Sequence, residues 1–346
     1  MKKVVVDAFG GDHAPSAVIE GCVMGLEANP DLSVILTGDE ETIRSELSKY
    51  TYDTGRVSIK HAPDVITNCE APVQAVRRKK QSSLVVALET VAAKEADVFI
   101  SAGSTGAVLA GATFIVKRIR GVKRPALAPI MPTLPGGQVV LVDCGANVDC
   151  RPQYLAQFAV MGSAYMERVV MGSAYAERVL GVRKPRVGLL NNGAEAEKGC
   201  ELTKEAYQLL QQTPINFVGN CEGRDVLTGD FDVVVADGFA GNVLLKSIEG
   251  TAAMVTGVLK EELMGTFLSR IGALLCKPAL RRVKRRMNYA EYGGALLLGI
   301  DGGIIKAHGS SNAKAIAATL RQASDFIEGN VVEIIRQGVE ALNLED

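Results

Sequence analysis

The residues best suited to chemistry stand together at Ile304-Ile305-Lys306-Ala307-His308-Gly309-Ser310-Ser311-Asn312-Ala313-Lys314. An apolar strand pattern runs into a Gly/Ser turn, and the turn opens an Ala-rich helix pattern. The first N–H groups of a helix have no partner inside it, and together with the helix dipole they favour an anion in the preceding turn. An ordinary cap needs one Ser or Asn. This turn also carries Lys306, His308, Ser310 and Ser311, which suits capture of an oxyanion. Taken alone, the stretch also fits a capped helix beside a surface His.

Four other turns share the design. Asp7-Ala8-Phe9-Gly10-Gly11-Asp12-His13-Ala14-Pro15 follows the first strand pattern and ends on Pro at a helix start. Gly103, Ser104 and Thr105 lie in Ser101–Gly106, and Asn147 closes Asp143–Asn147. Gly238 and Asn242 lie in Asp237–Asn242, which leads toward Lys246. Each alone reads as a tight βα connection. Five on one edge of a sheet would line a cleft with N–H groups, hydroxyls and amides, a site for phosphate above all. None matches G-x-G-x-x-G or G-x-x-x-x-G-K-[ST], which disfavours a standard dinucleotide fold or P-loop. No Ser-His-Asp or Cys-His signature stands out, and Cys144 and Cys150 read as structural thiols.

The elements that must position these turns are short β-branched runs alternating with helical patterns. Strands are expected at Lys3–Asp7, Leu32–Thr37, Val57–Lys60, Val98–Ser101, Val139–Asp143, Arg186–Leu190, Val233–Ala236 and Gly303–Lys306. Helical patterns include Ala17–Ala28, Glu40–Lys49, Ser83–Lys94 and Thr203–Gln211. The alternation predicts an α/β fold with a mostly parallel sheet flanked by helices, and ligands outside the carboxyl ends of its strands. Residues 1–346 read as a single catalytic unit, with room for two lobes around a cleft. The Pro-rich piece Arg124–Pro132 is poor helix and poor central strand, and suits a crossing between lobes.

The apolar fraction of 47% and a length of 346 residues suit a large globular core. A net charge of −1 argues against bulk nucleic-acid affinity. Seven Cys with no Cys-x-x-Cys pair suit reduced thiols in a cytoplasm, and three scattered His show no metal-ligand spacing. Lys2-Lys3 lead straight into a strand pattern, without a signal peptide. Val98–Val116 is uncharged, yet its Gly, Ser and Thr residues fit strand, turn and helix better than a membrane span.

Residues 253–290 form a second signal. Leu263, Met264, Phe267, Leu268, Ile271, Leu274 and Leu275 recur at helical spacing. Lys277, Arg281, Arg282, Lys284, Arg285 and Arg286 follow with no acidic residue among them. This reads either as a helical hairpin in a dimer core or as a helix on an anionic membrane surface or an acidic protein. Arg77-Arg78-Lys79-Lys80 and Lys117–Arg124 are further basic clusters, solvated faces or sites for an acidic partner.

One repeat interrupts the pattern. Val160–Val169 and Val170–Val179 differ only at Met166 against Ala176. Ten extra helical residues add about 15 Å and leave the downstream face roughly 80° short of three full turns. One straight helix cannot keep both copies in register, so a kink, bulge or looped-out copy is expected near Gly172.

DAFGGDHAP (Asp7–Pro15), SAGSTGA (Ser101–Ala107), RPALAP (Arg124–Pro129), GANVDCRP (Gly145–Pro152), DGFAGN…K (Asp237–Lys246) and IKAHGSSNAKA (Ile305–Ala315) together resemble the PlsX family, the phosphate acyltransferases of bacterial phospholipid synthesis. The resemblance spans essentially the whole chain. The duplication departs from it, since the family pattern has one copy. It implies a fold similar to isocitrate/isopropylmalate dehydrogenases and phosphotransacetylase, with a protruding amphipathic helical segment. It implies acyl transfer from acyl-[acyl carrier protein] to inorganic phosphate; no cofactor and no metal-ligand residue is expected from the sequence. It also implies a homodimer, cytoplasmic and peripheral to the membrane, passing acyl phosphate to the membrane glycerol-3-phosphate acyltransferase. Phosphate is itself a nucleophile and a thioester leaves as thiolate, so holding phosphate and stabilising an oxyanion suffice. Lys306, Ser310, Ser311, Gly103, Ser104, Thr105 and Gly238 are the expected phosphate ligands, and Lys246, His308, Asn147 and Asn242 the expected catalytic set. Leu263, Phe267, Leu268, Ile271, Leu275, Arg281 and Arg282 would face the membrane. The rival readings are a nicotinamide-dependent decarboxylating dehydrogenase of the isopropylmalate type and a non-catalytic membrane-surface scaffold.

Overall fold

The computed structural model describes residues 1–170, 184–287 and 293–342. In chain order, β1 (Lys2–Asp7), α1 (Ser16–Ala28), β2 (Leu32–Gly38), α2 (Glu40–Leu47), β3 (Val57–His61), α3 (Pro72–Arg78), α4 (Ser83–Ala92), β4 (Val98–Ser101) and α5 (Thr105–Gly111) come first. Next are β5 (Ala126–Ala128), β6 (Ile130–Pro132), β7 (Gln138–Val142), α6 (Pro152–Tyr165), β8 (Arg186–Asn191), α7 (Glu201–Gln211), β9 (Asn216–Glu222) and β10 (Val233–Val235). Two long helices, α8 (Gly238–Gly265) and α9 (Phe267–Met287), precede β11 (Ala295–Leu298), β12 (Gly303–Lys306), α10 (Ala313–Glu328) and α11 (Val331–Ala341).

The strands form two sheets where one was expected. The order is β3-β2-β1-β4-β12-β11-β5 in the larger and β6-β7-β10-β8-β9 in the smaller. β3 through β12 pair in parallel, and β11 runs antiparallel to both its neighbours. In the smaller sheet only β6 is antiparallel. The chain changes sheets inside the Pro-rich piece, at Pro129. There three-residue edge strands tolerate the missing N–H, and the Pro129 carbonyl accepts the Leu141 N–H at 3.2 Å.

Helices cover the larger sheet on both faces. α1 and α10 lie together on one, where Gly21 and Gly25 permit the approach: a Cβ on Gly21 would sit 2.5 Å from the Ile316 Cβ. α3, α4 and α5 pack over a separate apolar cluster on the other face. In the smaller sheet α6 packs on one side, and Leu244, Leu245 and Ile248 of α8 pack on the other.

In α8 only Gly238 and Gly241 are fully buried. α8 and α9 are separated at Thr266, whose N–H and hydroxyl exchange hydrogen bonds with Ser269 in a capping box. The apolar series read as one helical face is therefore divided: Leu263 and Met264 close α8, and Phe267 to Leu275 open α9. Phe267, Leu268 and Leu275 are more than three-quarters exposed in the single chain. No described helix is long and apolar enough to cross a membrane.

The first repeat copy is core. Tyr165 is fully buried with its hydroxyl accepting the Gln322 Nε2–H at 2.7 Å. α6 stops at Tyr165, and a π-helical turn spans Met166–Val170. The kink expected near Gly172 falls outside the described residues.

Candidate functional site

β2 and β3 lie on one side of β1, and β4 and β12 on the other, so the crevice of the larger sheet opens between the carboxyl ends of β1 and β4. Asp7, Ser101 and Lys306 end three adjacent strands there, with Lys306 in register with Ser101. The buried Asp7 carboxylate accepts the Ser101 hydroxyl at 2.7 Å and the Phe9 N–H at 3.3 Å. The Ser101 Oγ in turn accepts the Gly103 N–H at 2.9 Å. Gly10 must be glycine, since a Cβ would lie 2.6 Å from both Asp7 Oδ2 and Ser101 Oγ. Burial of Asp7 raises its pKa against these hydrogen bonds and the nearby Lys306 charge.

The Lys306 ammonium donates to the carbonyls of Ala102 and Ala307. Burial lowers its pKa to about 8, against the opposing pull of Asp12 and Asp7. Asp12 belongs to the same assembly, because its N–H donates to the Gly309 carbonyl at 2.8 Å. His308 is exposed; its Nδ1 accepts the Ser310 N–H at 3.2 Å and lies 2.8 Å from the Ser310 hydroxyl. With Nδ1 accepting, a neutral ring carries its proton on Nε2. Ser311 is buried, and Asn312 caps α10 by accepting the Ala315 N–H at 3.0 Å. Lys306 also forms one wall of an apolar recess between the sheets, with Val108, Leu109, Leu127, Leu297 and Ala146. Thr105 and Gly145 complete the lining.

The smaller sheet contributes two turns at the ends of β7 and β10. Asp143 is fully buried and its carboxylate gathers four donors: the N–H groups of Leu127 at 2.8 Å, Ala146 at 3.2 Å and Asn147 at 2.7 Å, and the Asn147 Nδ2–H at 2.9 Å. Burial raises its pKa in spite of them. α8 lies directly against this loop. A Cβ on Gly241 would sit 1.9 Å from the Asp143 carbonyl oxygen, and one on Gly238 would sit 2.5 Å from the Asn147 carbonyl oxygen. Asn242 flanks Gly145, and one turn further Lys246 pairs with Glu249 at 2.7 Å while its charge reaches Lys306.

The structure thus brings the five turns together from two sheets, but it reassigns several side chains. Both Asn147 amide protons are taken, one by Asp143 and one by the Pro125 carbonyl at 2.7 Å, so its amide N–H groups hold the loop. The Gly238 N–H, expected to meet phosphate, donates here to the Asn147 carbonyl at 2.7 Å. Gly103 spends its N–H on Ser101, and Ser104 caps α5 through the Ala107 N–H at 3.5 Å. Asp7, Ser101 and Asp143 had no assigned part. Their signal was present, a polar residue ending each of three apolar strand runs. No group of His, Cys, Asp and Glu among the described residues is arranged to hold a metal ion.

A family model described as "Fatty acid synthesis protein" matches residues 2–170 and 169–334. The chain is 49% identical over 338 residues to a phosphate acyltransferase of Clostridium novyi, covering 98% of each chain. It is 49% identical over 340 residues to that of Clostridium acetobutylicum, covering 98% of this chain and 99% of the relative. The chain belongs to the phosphate acyltransferase family. A phosphotransacetylase from Streptococcus pyogenes superposes with a TM-score of 0.59 over 94% of each chain at 17% identity, which shows a shared fold. The family match runs through all five turns and divides at residues 169–170, where the two repeat copies meet.

Proposed function

We propose that this chain, a phosphate acyltransferase by family, moves a fatty acyl group from the thioester of an acyl carrier protein to inorganic phosphate. The observation that carries the reading is that Lys306 lines an apolar recess between the sheets and leads into the turn in which His308 and Ser310 meet. A phosphate oxygen attacks the acyl carbonyl carbon, the C–S bond breaks, and the carrier leaves as a thiol once its sulfur takes a proton. Lys306, with the hydroxyls of Ser310, Ser311 and Thr105, holds the phosphate, and the leucine and valine walls take the start of the acyl chain. Asn242 and Lys246 face the developing oxyanion, while His308 as imidazolium gives the Nε2 proton to the leaving sulfur and is reprotonated by the proton that the attacking phosphate oxygen gives up. Asp7, Ser101, Asp143, Asn147 and Gly238 keep the turns in place.

The fold label goes with this reading: an isocitrate/isopropylmalate dehydrogenase-like scaffold with α8 and α9 as its added segment. Along these helices Met254, Val258, Phe267, Leu268 and Leu274 lie open in the single chain. They suit a second copy of the chain along α8 and an anionic membrane at the α8–α9 junction, with Arg281 and Arg282 toward lipid headgroups. A cytoplasmic, membrane-peripheral homodimer would release acyl phosphate where the glycerol-3-phosphate acyltransferase consumes it.

The test is hydroxylamine trapping of acyl phosphate from purified protein, palmitoyl-acyl carrier protein and inorganic phosphate. Phosphate-dependent product is expected; its absence from folded protein overturns the reading. Turnover of a nicotinamide cofactor would favour the dehydrogenase alternative, and silence of every cleft substitution the scaffold. Flotation with anionic vesicles that survives Leu268→Glu with Ile271→Glu would remove the membrane role.

A further inference from the structure

Two acid-free stretches of the sequence meet on one face of the larger sheet. No Asp or Glu occurs between Glu70 and Glu89, or between Asp97 and Asp143. The first stretch carries α3 and its basic C-terminus; the second carries α5, the π-helical turn Ala112–Val116 and the basic segment beyond it. α3 packs on α5: a Cβ on Gly106 would sit 2.6 Å from the Pro72 ring. The seam ends in a side-chain contact, with the Arg77 guanidinium 5.5 Å from the centroid of the Phe114 ring. Phe114 is 51% exposed, although every apolar residue flanking it in the π-helical turn is at least half covered.

The charges around this ring are unbalanced. Arg77, Arg78, Lys80, Lys117 and Arg120 are exposed and have no acidic partner among the described residues. The acids that come near are already engaged. Glu70 pairs with Lys79 at 2.9 Å, and the Asp301 carboxylate takes Lys94 at 3.2 Å and Arg336 at 2.8 Å. The patch is also continuous with the site. Thr105, Val108 and Leu109 at the start of the same helical run line the recess that holds Lys306. Phe114 lies nine positions beyond Thr105, roughly 13 Å along the axis.

We infer that this α3/α5 face, with Phe114 as its apolar anchor and the five cations as its rim, docks the acidic carrier protein that presents the acyl thioester. The inference rests on the carrier-protein reading above and adds where the carrier sits. An acidic protein matches the uncompensated charge, and a protein whose acyl group hangs on a flexible arm can dock here while the thioester reaches Lys306. A lipid surface fits less well, because Phe114 and Val73 are the large exposed apolar side chains here, whereas α8 and α9 carry a far larger set.

The experiment titrates full-length protein with holo-acyl carrier protein at two salt concentrations. It uses Arg77→Glu with Arg78→Glu, Phe114→Ala, and, as a charge-reversed control away from this face, Lys204→Glu on α7. Thermal melting verifies the fold of each. The expected result is affinity about 10-fold weaker or worse for the first two, a flatter salt dependence for the charge reversal, and no change for Lys204→Glu. Equal affinity in all four proteins overturns the inference, as does an equal loss in Lys204→Glu. So does a charge-reversed variant that binds carrier normally and instead loses flotation with anionic vesicles. Acyl-phosphate formation is scored separately. Wild-type protein that binds carrier through this face but makes no acyl phosphate defeats the proposed reaction and leaves the docking face standing.

Discussion

Lys306 is a buried cation whose direct hydrogen-bond partners among the described residues are two carbonyls, and that arrangement has a pH signature. Its pKa of about 8 means it is charged below that value and neutral above it. An unfolded lysine keeps its proton to about 10.4, so burying the charge opposes folding below pH about 8, and this cost fades as pH rises toward 10.4. Phosphate capture has the opposite preference. The apparent KM for phosphate should therefore rise as pH passes 8, and Lys306→Arg, which stays charged, should remove that limb while lowering turnover. An alkaline limb left in place by Lys306→Arg would assign it to another group. Lys306→Met should lower turnover about 100-fold or more, with an unchanged or higher melting temperature at pH 7. Asn147 makes a contrasting prediction. Asn147→Ala leaves a buried carboxylate short of one donor and the Pro125 carbonyl without its partner. It should cost about 2–4 kcal/mol in denaturant unfolding. A loss of turnover without a loss of stability would return Asn147 to the catalytic set. The contrast explains what was legible. Lys306 and His308 announce themselves as a strand end running into a helix start. Asn147 looks identical in type, but its partners lie 4 and 22 residues away in the chain, and only the fold reveals that its donors are spent.

Among the elements, α8 has two ends with different requirements. At its start, Gly241 has a Cβ direction that runs into the Asp143 carbonyl at 1.9 Å, so Gly241→Ala must push the helix off the Asp143–Asn147 loop and shift Asn242 and Lys246 with it. Further along, a Cβ on Gly250 meets nothing within 4 Å. Gly250→Ala should stabilise the helix by up to about 1 kcal/mol, visible in thermal melting, with turnover intact. Gly241→Ala should drop turnover at least about 10-fold, in keeping with the cost of small displacements at a reacting centre. Full activity in Gly241→Ala would show that the start of α8 has no part in the site. The sequence displayed these elements unevenly. Strands of four or more residues rich in β-branched side chains, such as Val98–Ser101 and Val139–Val142, were readable. β5 and β6 were not, being three residues each around Pro129, and β9 and β11 were also passed over. The division of the apolar stripe at Thr266 was hidden because helical periodicity continues across it, and the Thr266–Ser269 capping box is a weak signal amid other hydroxyls.

For the whole molecule, the duplicated decapeptide is the sharpest question, because it sits between the segments that carry the two halves of the site. The first copy fills the core: Tyr165 meets Gln322, Gly162 lies against Val142 and Val233, and Met166 is 3% exposed. Gln322 uses the same amide to clasp Gly294, accepting its N–H at 2.8 Å and donating to its carbonyl at 2.9 Å, so this packing anchors the start of β11. The family match divides where the copies meet. Two excisions separate the contributions. Removing residues 170–179 leaves the first copy, and removing 160–169 leaves the second. The two products are the same chain except for Met or Ala at the Met166 position. Both should make acyl phosphate if one copy suffices for the fold. The Ala product should be less stable by about 2–5 kcal/mol, the cost of emptying a buried Met site. Denaturant unfolding of both, beside the parent chain, decides it. Equal stability would mean that Met166 contributes no packing in this core. Inactivity of both excision products, with the parent active, would mean that the second copy has become part of the working structure and is no longer surplus to a fold built around one.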